Sequence, residues 1–193
     1  MINIAKIFRI ISIIQTKIKY GFSLKHLGKS VIIKSPLCLN LKRNISIGDY
    51  TIIGYKTWLG ATPSTGHMNC CLSIGPNCSI GNFNHIYATQ SVIIGPSVLT
   101  ADKVYISDNI HGYEEITCPI ISQKVIQKQS VEIGEGSWIG ENVCVIGASI
   151  GKHCVIGANS VVTHNIPDYS IAVGAPAKVV KKYNFATNKW ERV

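Results

Sequence analysis

The stretch VEIGEGSWIGENVCVIGASIGKHCVIGANSVV, residues 131–162, beats in sixes. Ile133-Gly134, Ile139-Gly140, Ile150-Gly151 and Ile156-Gly157 mark the beat, with a slipped unit at Val145. It runs earlier through Ile47-Gly48, Ile53-Gly54 and Leu59-Gly60, then Ile74-Gly75, Ile80-Gly81 and Ile94-Gly95. A helix would space its apolar residues by three and four, and a half-buried strand by two. Period six predicts one short strand and one tight corner per unit. Three units close a triangular coil of about 18 residues, and stacked coils share one continuous core.

A chain of 193 residues fits one domain with trimmings. Its 46% apolar content fills a core, and 8% aromatics suit a narrow one packed with Ile and Val. The formal charge of +9 points to an anionic partner. Nucleic acid is not expected, because no basic helix, zinc finger or aromatic ribonucleoprotein motif is present. A phosphorylated cofactor or an anionic membrane surface fits instead. The seven cysteines form no C-x-x-C pair, and Cys78, Cys144 and Cys154 occupy comparable repeat positions. They read as small buried residues of a reducing cytoplasm rather than a disulfide framework or thiolate metal site.

Residues 1–29 form a separate N-terminal segment. Ile4, Ile7, Ile11, Ile14 and Ile18 share one helical face, punctuated by Lys6, Arg9, Lys17 and Lys19. No uncharged stretch is long enough to span a bilayer, and no small-residue cleavage site follows. Two readings stand: the helix caps the open end of the coil stack, or residues 1–21 lie on the inner face of the cytoplasmic membrane. Residues 30–176 hold the coils, interrupted at 61–71 and 112–129. Such insertions project from one face of a solenoid and often build its site. Residues 177–193 read as a basic C-terminal arm or short helix packed on the outside.

Two segments carry a family resemblance. Gly136-Ser137-Trp138-Ile139-Gly140 through Ile156-Gly157-Ala158-Asn159-Ser160-Val161-Val162-Thr163, with Ile166-Pro167-Asp168 and Gly174-Ala175-Pro176-Ala177-Lys178, resembles the C-terminal signature of hexapeptide-repeat acyltransferases. Val104-Tyr105-Ile106-Ser107-Asp108-Asn109-Ile110-His111-Gly112-Tyr113 resembles the catalytic-histidine segment of galactoside, maltose and polysaccharide O-acetyltransferases. The resemblance implies an all-β solenoid, a left-handed parallel β-helix, assembled as a homotrimer with sites between subunits. It implies acetyl-CoA as acyl donor, a sugar or glycan acceptor and no metal.

In that reading His111 is the general base. A sugar hydroxyl is a poor nucleophile at neutral pH, and imidazole is the natural group to take its proton. Asp108, Glu114 or a backbone carbonyl would fix its tautomer. Asn82, Asn84 and His85 match a substrate-contacting segment; Asn82 is otherwise a corner residue, since asparagine tolerates left-handed turns. Ala158 and Thr163 match positions whose backbones line the cofactor's pantetheine arm, and Lys178 and Lys181 would meet its phosphates. Lysine there supplies a point charge without bidentate geometry. Glu141 sits where a small polar residue is common, so its backbone can serve but its carboxylate is an unwelcome anion near phosphate. His67, His85 and His111 as ligands of a zinc hydratase, a non-catalytic scaffold, and an N-acetyltransferase acting on an amino-sugar nucleotide are the competing readings. A phosphate-binding loop is not expected, because no Gly-Lys-Ser or Gly-Lys-Thr occurs.

Overall fold

The computed structural model describes residues 4–193. Among the described residues the chain visits three sheets in rotation. The first holds His26–Leu27, Ile45–Ile47, Cys71–Ile74, Ser91–Ile94 and Val131–Ile133. The second begins at Ile32–Ile33 and climbs through Ile52–Ile53, Ser79–Ile80, Leu99–Thr100, Trp138–Ile139 and Val155–Ile156 to Ser170–Gly174. The third runs from Cys38–Asn40 through Trp58–Ala61, His85–Ala88, Tyr105–Ser107 and Cys144–Ile146 to Val161–Val162. Within each sheet, strands one coil apart pair in parallel. The beat residues Ile47, Ile53, Leu59, Ile74, Ile80 and Ile133 point inward and are essentially inaccessible to solvent.

The repeating glycine has a specific job. Its backbone is not left-handed; the left-handed residue comes two positions later, as at Tyr50, Lys56, Asn77 and Phe83. What the glycine allows is close stacking. A Cβ on Gly48 would stand 2.5 Å from the Pro76 nitrogen of the next coil, and one on Gly75 would stand 2.7 Å from the Gly95 carbonyl carbon. Backbone cannot yield as a flexible side chain can, so the beat of glycines sets the spacing of the coils.

Two expectations need correction, and a third point, the facing of the helix, is settled here. The helix Ile4–Tyr20 does meet the first coil, and Thr16 Oγ1 accepts a 3.0 Å bond from the Ile33 N–H. Its inward face, however, is Thr16 and Tyr20, while Ile4, Ile7, Ile11, Ile14 and Ile18 remain outside. The reason is periodicity: residues 16 and 20 lie half a turn away from the isoleucine row. The tail is not a short helix. Ala177–Asn184 and Lys189–Arg192 extend the second sheet as antiparallel strands, and Trp190 packs edge-on against Tyr183. Finally, Cys78 and Cys154 are buried at equivalent corners, but Cys144 faces outward on the third sheet.

The close stacking is testable. Gly75→Ala should lower the unfolding free energy by about 1–3 kcal/mol through overpacking, measured by urea denaturation; an unchanged midpoint would mean the coils have slack there.

Candidate active site

Both excursions leave the prism at the same corner, where the third sheet hands over to the first. Residues 62–70 link Trp58–Ala61 to Cys71–Ile74. One long excursion links Tyr105–Ser107 to Val131–Ile133. It begins earlier than the sequence suggested: Asn109–His111 already pairs antiparallel with Val125–Gln127, His111 opposite Val125. His111 therefore stands on a projecting two-stranded ribbon, not at the end of a coil strand.

Asp108 turns the chain outward and is fully buried. Its carboxylate accepts from the Thr89 N–H (2.8 Å) and hydroxyl (2.9 Å), from the N–H groups of Gln90 (2.7 Å) and Ser91 (2.8 Å), and from the Asn109 amide (3.0 Å). Burial pushes this carboxyl up, but the hydrogen bonds from Asn109 and residues 89–91 outweigh it and hold it below the usual carboxylate range. Gln127 completes the fastening. Its carbonyl accepts from the Thr65 hydroxyl and shares the one Thr89 hydroxyl proton with Asp108, and its amide donates to the Asp108 and Lys128 carbonyls. One carboxylate and one amide thus tie together the 62–70 loop, the corner at 89–91 and the root of the ribbon.

Beneath the ribbon lies a cleft of about 490 Å³ whose wall is an aromatic ladder. Parallel register sets Trp58 beside His85 and His85 beside Tyr105 on successive coils. The Trp58 and His85 rings stack with centroids 4.4 Å apart, and Tyr105 meets His85 edge-on at 5.2 Å. Gly60 makes room for the Tyr87 ring, since a Cβ there would stand 2.7 Å from Tyr87 Cδ2. His111, Asn109 and Ile110 close the opposite side. Two buried ring nitrogens, Trp58 Nε1 and His85 Nε2, have no hydrogen-bond partner among the described residues. Unpaired buried polar atoms are costly and rare, which sets this wall apart from the rest of the third sheet. Burial also lowers the His85 pKa from its ordinary value, keeping it neutral at neutral pH.

Of the residues singled out from sequence, the structure brings His85 and His111 together on this cleft. Neither Asp108 nor Glu114 bonds to the His111 ring within the chain; the Asp108 carboxylate is committed to the backbone and Asn109. Asn84 is buried, donating to Thr100 Oγ1 and accepting from the Val104 N–H at 2.7 Å, so it builds the corner and does not line the cleft. Asn82 bonds Asp102 and the Tyr55 N–H on the edge between the second and third sheets. Glu141 and Ala158 lie on that same edge in later coils, Glu141 paired with Lys103 at 3.2 Å. Thr163 follows the last strand of the third sheet and bonds His164 at 3.0 Å. Along Ala177–Asn184 exposure alternates, so Lys178 and Lys182 share the open face and Lys181 lies on the half-buried one. Lys178 and Lys181 are thus on opposite faces, a consequence of the period-two strand. The third sheet is the floor between the edge bearing Asn82, Glu141 and Ala158 and the edge bearing His111.

Trp58, Tyr87 and Tyr105 escaped the sequence reading. Aligning the repeats one coil at a time would have placed Trp58, His85 and Tyr105 in a single outward column. Among the described residues, no group of three or more His, Cys, Asp or Glu gathers as a metal site within the chain.

A family profile described as the hexapeptide repeat of succinyl-transferase matches residues 130–164. The putative lipopolysaccharide biosynthesis O-acetyl transferase WbbJ of Escherichia coli (strain K12) is 40% identical over 123 residues, 60% of this chain and 63% of that protein. The probable acetyltransferase Rv3034c of Mycobacterium tuberculosis (strain ATCC 25618 / H37Rv) is 43% identical over 148 residues, 76% of this chain and 46% of that protein. The chain thus spans less than two thirds of the length of either relative. In fold it is similar to AntD, an N-acyltransferase from Bacillus cereus crystallised with dTDP and 3-hydroxybutyryl-CoA, with a TM-score of 0.73 and 20% identity over 90% of both chains. The chain is thus similar in sequence to acetyltransferases, and its residues 130–164 carry the hexapeptide repeat.

The fastening by Asp108 has a pH signature. Its folded pKa lies below the unfolded value, so its stabilisation is present above about pH 4 and is lost as pH falls through the folded value. Amide exchange at Thr89, Gln90 and Ser91, taken relative to the intrinsic rate at each pH, should stay slow at neutral pH and quicken in acid. Asp108→Asn should quicken it at every pH and cost about 1.5–3 kcal/mol per charged hydrogen bond weakened; undisturbed protection in that variant would remove Asp108 as the fastener.

Proposed function

We propose that this protein is an acetyl-CoA-dependent O-acetyltransferase. Its acceptor is a sugar hydroxyl of a bacterial surface polysaccharide or of the precursor of one. The observation that carries this reading is the exposed imidazole of His111 facing an aromatic wall that holds two unpartnered ring nitrogens. Aromatic faces suit the apolar side of a sugar ring. The names of the two relatives fit an acetyl transfer, and that of the first fits an acceptor of the cell surface.

The geometry supports the following mechanism. The acceptor hydroxyl lies against Trp58, His85 and Tyr105 with its proton toward His111. The imidazole takes that proton as the oxygen attacks the thioester carbonyl. The tetrahedral intermediate collapses to the acetyl ester, and the C–S bond breaks. The departing sulfur leaves as free coenzyme A, its proton supplied by the imidazolium. No acetyl-enzyme forms. The donor reaches this point along the third sheet from the edge of Glu141 and Ala158, with Thr163 near its arm and Lys178 near its phosphates. Glu141 serves through its backbone, since its carboxylate pairs with Lys103. The family resemblance further supports a left-handed coil, a homotrimer in which a neighbouring prism completes each cleft, and a cytoplasmic enzyme.

His111→Ala should lower turnover by about 100-fold to 10,000-fold, followed as free thiol released from acetyl-CoA with sugar and amino-sugar acceptors offered side by side. Near-normal turnover would take the role from His111, and faster transfer to the amine would replace O-acetylation with N-acetylation. Trp58→Ala should instead raise the acceptor KM. Coenzyme A at 100 times its Kd should raise stability by about 2.7 kcal/mol; a melting temperature indifferent to coenzyme A would make the coil a scaffold.

A further inference from the structure

The charge of this chain is segregated. Residues 1–48 contain nine lysines and arginines and no aspartate or glutamate; the first acid is Asp49. The remaining 145 residues carry ten basic and ten acidic side chains, so the whole formal charge of +9 belongs to the helix and the first coil. This is also where the chain shows its apolar side. Ile7, Ile11, Ile14 and Ile18 form a continuous stripe, 41–76% exposed, with Phe8 and Phe22 outside as well. The opposite face of the same helix is committed to the coil through Thr16 and Tyr20. At 3.6 residues per turn, Lys17 and Lys19 fall on opposite flanks of the stripe.

We propose that the helix Ile4–Tyr20 docks flat on an anionic lipid bilayer, its isoleucines in the acyl boundary and the flanking lysines at the headgroups. No helix among the described residues is long and apolar enough to cross a membrane. A 17-residue helix with an apolar stripe and basic flanks has the pattern of an in-plane anchor. The burial of Thr16 and Tyr20 fixes the orientation: the coil end holds the helix from behind and presents its isoleucines outward. Charge selects the occupant. A second copy would bring the same basic end against this one and repel it, whereas anionic headgroups attract each nearby lysine or arginine. Docking would set the cleft beside a surface on which lipid-carried glycans are displayed, but the anchor does not rest on the catalytic reading.

The test uses the full chain and flotation with vesicles of phosphatidylglycerol and phosphatidylcholine. Binding should be at least about tenfold tighter than to phosphatidylcholine alone and should collapse at 1 M salt, where the screening length is about 3 Å. Ile11→Ser/Ile14→Ser should weaken it by at least about tenfold, and Lys17→Gln/Lys19→Gln by about tenfold, both with unchanged melting temperatures. Equal binding to neutral vesicles, or full binding by the isoleucine variant, would overturn the proposal. So would a loss of oligomer mass in that variant without loss of vesicle binding, which would assign the stripe to another copy. Free-thiol release with a soluble acceptor should be unaltered in both variants; if the parent protein itself releases none, the acetyl-transfer reading fails and the anchor stands.

Discussion

The contact between successive coils governs this molecule. Each coil lies so near the next that a single methyl group at Gly48 or Gly75 would meet backbone. That closeness lets short parallel strands pair in register and bury a column of isoleucines. It also makes outward side chains stack. Trp58, His85 and Tyr105 are far apart in the chain, yet the ladder sets them side by side. The aromatic wall of the cleft is thus a product of coil spacing.

The cleft also needs a device that defeats the regular winding. Asp108 supplies it. A buried carboxylate costs free energy unless its acceptors are filled, and here backbone N–H groups of the neighbouring corner fill them. The chain is forced out of the coil, and the ribbon bearing His111 begins. Gln127 holds the returning strand to the same corner. Asp108 is therefore not the group that orients the imidazole, although it is close in sequence. It acts one level lower, by fixing the root of the ribbon on which the imidazole stands.

The two ends of the prism differ in kind. At the C-terminal end the second sheet continues into two antiparallel strands, covered by Tyr169, Tyr183, Phe185 and Trp190 packed edge to face. At the N-terminal end a helix closes the stack with a narrow polar and aromatic contact and leaves its apolar stripe outside. One end is finished by the protein itself, and the other leaves an apolar stripe open.

The six-residue beat was enough to read the repeating strand, the inward isoleucines and the interruptions, because period and glycine spacing are local properties of the chain. His111 could be picked out for the same reason: its segment is continuous. The wall facing it could not, since Trp58, His85 and Tyr105 come from three coils and only their register makes them neighbours. Nor could sequence tell that Asn84 spends its amide inside a corner, or that Lys178 and Lys181 diverge, because both depend on which way a strand turns its side chains. The isoleucine row was legible from its spacing; that it faces away from the coil was decided by where Thr16 and Tyr20 find their partners. Local pattern determines what each unit is, and packing alone determines what each unit meets.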